Sequence, residues 1–128
     1  MDPKGVHYAK SDEWVSIDGT VATIGISDFA VKALTDLVFI ELPKVGRSLK
    51  AGEAFGVVES VKAASDMYAP VAGEVIEVNS KLPDDLGKLS DDPFGAGWLI
   101  KLRVAEGTAP AGLMNRGEYE QHWATRAH

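Results

Sequence analysis

Alternating apolar and polar positions along the chain predict a fold built mainly from short β-strands. Residues 14–17 and 20–24 are rich in β-branched and aromatic side chains, and the Asp18-Gly19 pair between them suits a type I′ turn. This stretch therefore predicts a hairpin. Residues 98–104 alternate most regularly, with four apolar side chains on one face of a predicted strand and two basic side chains on the other.

The other strand signals are shorter or less regular. Residues 37–42 are almost wholly apolar and are followed by Pro43, which is typical of a strand that is buried on both faces. Further strands are predicted at residues 53–60, 63–70 and 73–79. Residues 19–24 and 73–78 share a Gly-x-Val-x-x-aliphatic pattern, which favours two similar β-units folded face to face.

One short helix and one long loop interrupt these strands. Ser27 is a typical N-cap for a helix over residues 28–34. We expect one apolar stripe of this helix to face the core, and that stripe consists of Ala30, Ala33 and Leu34. Residues 80–97 are rich in Asp, Pro, Gly, Ser and Lys, so the sequence predicts a long solvated loop there.

A second helix is predicted near the C-terminus, at about residues 116–124. Asn115 and Glu118 have the spacing of a capping box. Tyr119 and Trp123 are four positions apart, which places them on one face of a helix. We therefore expect the C-terminal helix to dock through these two aromatic side chains.

Composition and charge narrow the class of protein. The 128 residues fit one domain, and we expect residues 1–128 to form it. Thirteen basic and nineteen acidic residues give a net charge of −6, which disfavours nucleic acids and anionic membranes as partners. The chain has no cysteine, which excludes disulfides, thiolate metal sites and a cysteine nucleophile.

The sequence motifs of enzymes and metal sites are also absent. His7, His122 and His128 lie near the two ends of the chain and lack metal-ligand spacing. The acidic pairs at 84–85 and 91–92 lack the pattern of a calcium loop, and no glycine-rich phosphate-binding motif occurs. We therefore expect no metal site and no catalytic residue.

The sequence also bears on cellular location. Residues 1–5 contain no basic stretch followed by an apolar run, which is the pattern of a secretion signal. No apolar window approaches the roughly 20 residues that a membrane span needs. We expect a cytoplasmic protein, or a protein of the mitochondrial matrix if this is the mature chain of a eukaryote.

Lys62 lies at the tip of a predicted hairpin, within a segment that covers about residues 53–78. Strand signals on both sides leave only residues 60–63 for the turn, so we expect the Lys62 amine to be accessible. A rigid turn presents one amine to an acylating enzyme while other amines stay less reachable. The Val-Lys pair by itself is more typical of an ordinary exposed hairpin lysine.

The residues around Lys62 form one continuous string. It reads Gly56-Val57-Val58-Glu59-Ser60-Val61-Lys62-Ala63-Ala64-Ser65-Asp66-Met67-Tyr68-Ala69-Pro70-Val71-Ala72-Gly73-Glu74-Val75. This string closely resembles the lipoyl-attachment segment of the glycine cleavage H-protein family. Further matches are spread over most of the chain, at Tyr8, Glu13-Trp14-Val15, residues 23–28, residues 38–43, Val45-Gly46, residues 92–95 and residues 97–101.

The sequence departs from the family pattern at a few positions. Asp12 stands where the family commonly has His, and Thr35 stands where Gly is frequent. Residues 84–89 differ from the usual pattern of the long loop, and the tail from Glu106 onward matches poorly. These departures concern the N-terminal edge, the loop and the tail, and they leave the string around Lys62 intact.

The resemblance implies a fold and a cofactor. The implied fold is mostly β: a barrel-sandwich hybrid of two small antiparallel sheets, with short peripheral helices and a C-terminal helix. The resemblance also implies lipoic acid in amide linkage to Lys62, with Glu59 and Gly73 at positions that lipoylating enzymes recognise. Biotin carriers share the fold but have methionines beside their lysine, whereas Val61 and Ala63 flank Lys62 here.

The resemblance further implies a carrier rather than an enzyme, one that serves glycine catabolism and one-carbon metabolism. Such a carrier takes an aminomethyl group from the P protein (glycine decarboxylase) to the T protein (aminomethyltransferase). It then presents its dithiol to the L protein (dihydrolipoyl dehydrogenase). We expect a monomer that also meets lipoylating enzymes. Two alternatives stay open: a lipoyl relay that supplies 2-oxoacid dehydrogenase subunits, and an unmodified β-sandwich adaptor.

The family also implies a resting cleft for the loaded arm. Ser11, Glu13 and Asp66 match the positions that line this cleft in the family. A fixed carboxylate there would bind the ammonium of the aminomethyl group and limit its loss as ammonia and formaldehyde. Taken alone, Glu13 and Asp66 are equally typical of surface charges, and Ser11 of a turn residue.

Overall fold

The chain forms two antiparallel β-sheets with a shared hydrophobic core, as the computed structural model of the protein shows for residues 1–126. The strands are β1 (His7–Tyr8), β2 (Glu13–Asp18), β3 (Val21–Ile26), β4 (Leu37–Glu41), β5 (Ser48–Leu49), β6 (Ala54–Ser60), β7 (Ala64–Tyr68), β8 (Gly73–Val78) and β9 (Ile100–Arg103). The helices are α1 (Asp28–Leu34), α2 (Gly87–Asp91) and α3 (Arg116–Ala124). Within the described residues no helix is long and apolar enough to cross a membrane.

The larger sheet has six strands and the smaller one has three. Their orders are β1-β2-β3-β9-β8-β5 and β4-β6-β7. The predicted fold class is confirmed: the chain is mostly β, with two antiparallel sheets and few helices. The two stretches with the Gly-x-Val pattern, β3 and β8, lie on either side of β9 in one sheet, so they do not face each other.

Alternation along the strands produces the core. Ile24, Val75 and Leu102 from the larger sheet are fully buried. Val58 and Met67 from the smaller sheet belong to the same buried cluster. In β9, Ile100 and Leu102 are buried while Lys101 and Arg103 are not, which is the arrangement that the alternating pattern predicted there. In β3, by contrast, five consecutive residues are buried.

A second buried cluster is aromatic and anchors α3. The capping box predicted for this helix is confirmed: Asn115 accepts a hydrogen bond from the backbone of Glu118, whose side chain bonds back to Asn115. Tyr119 is fully buried, and its ring stacks on that of Tyr8 at 4.4 Å between centroids. Trp123 is partly buried and packs against the same cluster, which also contains Phe94. The predicted docking stripe is therefore confirmed.

The first hairpin forms as predicted, but its turn differs. Asp18 pairs with Val21, so the two turn residues are Gly19 and Thr20. Gly19 has φ 63°, while Thr20 is not among the described residues with positive φ. A type I′ turn needs positive φ at both positions, whereas a type II′ turn needs it only at the first. The predicted type I′ turn is therefore wrong.

The apolar run at residues 37–42 is not buried on both faces. It forms β4, which is an edge strand of the smaller sheet. Val38 and Phe39 are 56% and 45% exposed, and only Ile40 within β4 is fully buried. The run is apolar without being central, and composition alone does not distinguish these two cases.

Two smaller predictions also need correction. Residues 80–97 are not a simple solvated loop, because they hold a 3₁₀ turn at Leu82–Asp84 and the helix α2. Leu82 and Leu89 are fully buried and fix this segment to the core. In α1, which Ser27 caps as predicted, Val31 is buried and Ala33 is exposed, so the inward stripe is rotated from the predicted one.

Within residues 1–126, two residues other than glycine have positive φ, and both are departures from the family pattern. They are Asp12, with φ 86°, and Thr35, with φ 64°. Thr35 ends α1 with ψ −124°, a conformation in which a β-branched side chain is strained and glycine is not. Its hydroxyl donates to the Leu34 carbonyl at 2.6 Å in an exposed position.

We predict that Thr35→Gly stabilises the protein. Relief of the backbone strain, of order 1–3 kcal/mol, exceeds the roughly 0.5–1 kcal/mol entropic cost of glycine, so a gain of about 1 kcal/mol is expected. Thermal or urea unfolding measures it. Thr35→Ala is the control, because alanine keeps a Cβ at the same φ and should give no comparable gain. A less stable glycine variant would contradict the strain argument.

Candidate functional site

The turn that carries Lys62 is held by its own hydrogen bonds. The Ser60 amide donates to the Ala63 carbonyl at 2.7 Å. The Ser60 hydroxyl oxygen accepts from the amides of Lys62 and Ala63, at 3.3 and 3.1 Å. The Val61 amide donates to the Asp36 carbonyl at 3.0 Å, which ties the turn to the segment before β4. The tip is therefore ordered, and Lys62 is exposed on it.

A cavity of about 510 Å³ opens beside this turn. This volume lies within the ~300–1,000 Å³ range of small-molecule pockets in proteins. The polar lining residues are Ser11, Asp12, Glu13, Lys62, Ser65, Asp66 and Arg126. The apolar ones are Ile26, Ala30, Ala33, Leu34, Val58, Ala63, Ala64, Met67 and Trp123. The cavity thus lies between α1, the end of α3 and the strands that flank the turn.

Glu13 is the buried charged group of this cavity. The residue is 2% exposed. The Ser11 hydroxyl donates to its Oε1, and the Tyr68 amide donates to its Oε2 at 3.0 Å. Burial raises the pKa of the Glu13 carboxyl to about 7, although both hydrogen bonds act in the opposite direction. The carboxyl therefore changes charge close to neutral pH.

The structure brings four of the six predicted site residues together. Ser11, Glu13, Lys62 and Asp66 all line the cavity, although they come from distant parts of the sequence. Asp66 lies in β7 opposite Val57 of β6 and is exposed. Two carboxylates and one hydroxyl thus surround the same space next to the Lys62 amine.

Glu59 and Gly73 do not line this cavity. Glu59 lies half-buried in β6, paired with Phe39 and Ala64 of the neighbouring strands. A Cβ on Gly73 would come within 2.5 Å of the Arg103 carbonyl oxygen in β9, so the close contact of β8 with β9 requires glycine. Gly73 has this structural reason to be glycine, and recognition by lipoylating enzymes stays a prediction for both residues.

Sequence reasoning missed the part of the cavity that comes from the end of α3. Trp123 and Arg126 line it together with Asp12. Arg126 lies in the C-terminal tail, where the sequence shows no recognisable motif, so nothing marked it. The substitution at Asp12 was the available signal, because it introduces a carboxylate directly before Glu13.

The described part of the chain contains no cluster of three or more His, Cys, Asp or Glu side chains that could hold a metal ion. His7 lies in β1, and His122 contacts the Lys10 carbonyl from α3 at 3.3 Å. His128 lies outside the described residues.

Comparison with known proteins identifies the family. The family model described as "Glycine cleavage H-protein" matches residues 6–126. This chain belongs to that family. It is 48% identical over 119 residues to the glycine cleavage system H protein of Carboxydothermus hydrogenoformans, covering 93% of this chain and 92% of that one. It is 52% identical over 120 residues to the one from Chromohalobacter salexigens, covering 92% and 91%.

A solved structure agrees with this assignment. The crystal structure of a glycine cleavage system H protein from Mycobacterium marinum matches with a TM-score of 0.86 and 37% identity, over 96% of this chain and 99% of that one. Members of the H-protein family carry lipoate and act as carriers rather than catalysts. The protein is accordingly a carrier component and not an enzyme.

The site suits a lipoyl group. Lys62 offers an exposed primary amine on an ordered turn, and none of the ion pairs formed by residues 1–126 involves it. Beside it lies a cavity with apolar walls for a hydrocarbon chain and a buried carboxylate for a cation. These features fit a lipoyl amide on Lys62.

We predict that Glu13 makes the stability of the unmodified protein depend on pH. Its pKa of about 7 in the folded state lies above the ordinary 4.5, so the contribution is present below about pH 4.5 and is lost as pH rises to 7. The loss is about 3 kcal/mol. Urea unfolding from pH 4.5 to 8 should show this loss in the wild type and not in Glu13→Gln. Parallel pH profiles of the two proteins would contradict the prediction.

Proposed function

We propose that the protein carries lipoic acid in amide linkage on Lys62 and shuttles an aminomethyl group from the P protein to the T protein. In the same cycle it presents the dithiol to the L protein. The observation that carries this proposal is an exposed amine on an ordered turn beside a cavity with one buried carboxylate. When bound, the lipoyl group supplies the sulfur atoms that accept the aminomethyl group and then return to the disulfide.

The residues of this chain fix the attachment point of the lipoyl arm and retain its cargo. The hydrogen bonds around Ser60 keep the attachment point fixed. The volume that the end of the arm can reach is therefore set by the length of the arm and not by motion of the turn. Glu13 and Asp66 offer carboxylates to the cargo's ammonium, and Ser11 holds Glu13 in place. A charge-assisted hydrogen bond of this kind contributes about 1.5–3 kcal/mol.

Retention of the ammonium also protects the cargo. Water converts the cargo into ammonium and formaldehyde and restores the thiol, and this loss requires the lone pair of the amine. A carboxylate that binds the ammonium keeps the amine protonated and withholds that lone pair. The Glu13 carboxyl is well placed for this role, because an arriving cation favours its ionised form at neutral pH.

Recognition by lipoylating enzymes belongs to the same proposal. Glu59 lies three residues before Lys62 on β6 and is partly accessible, so an enzyme that reaches the amine can also contact it. Gly73 begins β8, in the other sheet, so a lipoylating enzyme that recognises Gly73 would also contact this strand. The cytoplasmic location and the monomeric state expected from the sequence stay predictions.

The cavity favours the shuttle over the two alternatives. A lipoyl relay for 2-oxoacid dehydrogenase subunits needs the Lys62 turn but has no use for a buried carboxylate that receives a cation. An unmodified adaptor needs neither feature. Burial of Glu13 is costly, and a shuttle of an ammonium-bearing cargo is the function that uses it.

We predict that Lys62 is the lipoylated residue. Lys62→Arg keeps the positive charge but lacks the nucleophilic primary amine, so modification should stop while folding is unaffected. Intact mass after incubation with a lipoate ligase and lipoic acid measures this. Lys50→Arg, at another exposed lysine, is the matched control and should gain one lipoyl group. A Lys62→Arg protein that still gains the group would overturn the assignment.

We predict that Glu13→Gln shortens the lifetime of the loaded protein. Glutamine keeps the side-chain shape and loses the charge, so formaldehyde should be released about tenfold faster, and Asp66→Asn should act in the same direction. A colorimetric formaldehyde assay on the lipoylated, loaded proteins follows the release. Glu41→Gln, an exposed carboxylate outside the cavity, serves as the control. Wild-type release rates in both cavity variants would refute the protective role.

A further inference from the structure

The end of α3 forms one side of the Lys62 cavity, and an ion pair fastens it there. Trp123 and Arg126 line the cavity together with Asp12. Both terminal guanidinium nitrogens of Arg126 donate to the Asp12 carboxylate, Nη2 at 3.0 Å from Oδ2. The guanidinium carbon lies 4.6 Å from the centre of the Trp123 ring. Arg126 therefore contacts the carboxylate and the indole at once.

Asp12 is itself firmly placed. Its amide donates to the Ala9 carbonyl at 3.0 Å, and its carbonyl accepts from the Ser27 amide at 2.9 Å. The Tyr119 hydroxyl donates to Oδ1 at 3.0 Å. These contacts hold the residue at φ 86°, and its side chain is only 14% exposed. A carboxylate fixed in this way is a rigid anchor for Arg126.

We propose that the Asp12–Arg126 ion pair positions the end of α3 as a wall of the Lys62 cavity and thereby retains a cationic cargo beside Glu13. The inference rests on the proposed function, because the cargo is the one carried on Lys62. Asp12 and Arg126 are positioning residues: they act by keeping Trp123 and the last turn of α3 against the cavity.

Charge alone would give the opposite result, which makes the inference testable. Removal of the Arg126 charge leaves the Asp12 carboxylate unpaired at the edge of the cavity. An additional free carboxylate attracts an ammonium more strongly, so cargo would be held longer. Loss of the wall would instead let cargo and water exchange more freely, so it would be held for a shorter time.

The same helix supplies a matched control. Arg116, in the first turn of α3, donates to both carboxylate oxygens of Asp28, at 2.9 and 3.0 Å. Neither residue lines the cavity. Asp28→Asn therefore removes a comparable ion pair from the opposite end of α3 and tests for a general loss of helix docking.

The first measurement uses the unmodified protein and needs no cargo. In Arg126→Gln, amide hydrogen exchange over residues 122–126 should be about threefold or more faster, since a partly buried bidentate pair is lost. Arg126→Lys keeps one charged contact and should fall between Arg126→Gln and the wild type. Asp28→Asn should leave this segment unchanged. Wild-type exchange in Arg126→Gln would overturn the proposal by itself.

The second measurement follows cargo. The lipoylated and reduced protein is loaded with formaldehyde and ammonium. A thiol sulfur and the ammonium nitrogen each bond to the formaldehyde carbon, the carbonyl oxygen leaves as water, and no oxidant is required. Arg126→Gln and Asp12→Asn should release formaldehyde about threefold to tenfold faster than the wild type, with Arg126→Lys between them. Asparagine tolerates the positive φ at position 12. Asp28→Asn should stay within about twofold of the wild type.

The outcomes separate this inference from the function on which it rests. If Glu13→Gln accelerates release while Arg126→Gln releases at the wild-type rate or more slowly, the wall is wrong and the shuttle stands. If neither Glu13→Gln nor Asp66→Asn has an effect, the protective cavity and the wall fail together. Equal acceleration in Asp28→Asn and Arg126→Gln would also overturn the inference, because general undocking of α3 would then explain both.

Discussion

The Glu13 carboxylate connects the two sheets at the place where the site is built. Glu13 begins β2 of the larger sheet, and its Oε2 accepts the amide of Tyr68, the last residue of β7 in the smaller one. A buried carboxylate must keep its hydrogen bonds, because loss of a partner would leave a costly unsatisfied group. The distance between the two strands is therefore fixed there, and the cavity beside Lys62 keeps its shape.

The same burial makes Glu13 responsive to a cation. With a pKa of about 7, the carboxyl is partly protonated at neutral pH, because burial outweighs its hydrogen bonds to Ser11 and Tyr68. Under the proposed function, an ammonium that enters the cavity would favour the ionised form of this carboxyl. The group would thus be partly ionised before the cargo arrives and more fully ionised afterwards. A surface carboxylate would be charged in both states and would discriminate less between them.

Much of the fold and part of the site could be predicted from the sequence. The strands, the capped helices and the string around Lys62 depend on local patterns, so they could be predicted from the sequence. The edge position of β4 could not be predicted, because an apolar run does not show how many strands lie beside it. Val38 is exposed on this edge strand. Arg126 meets Asp12 only in the folded chain, and no local pattern connects residues so far apart.

The two positions with positive φ, Asp12 and Thr35, show how a departure from the family pattern can be costly or useful. Thr35 has positive φ, and its hydroxyl makes one exposed hydrogen bond to the preceding carbonyl, so little offsets the strain. Asp12 has positive φ as well, yet its carboxylate accepts hydrogen bonds from Arg126 and Tyr119. The positive φ at Asp12 is therefore linked to a contact that bounds the cavity. Glycine at position 12 would relieve the backbone and lose the anchor, whereas glycine at position 35 would lose almost nothing.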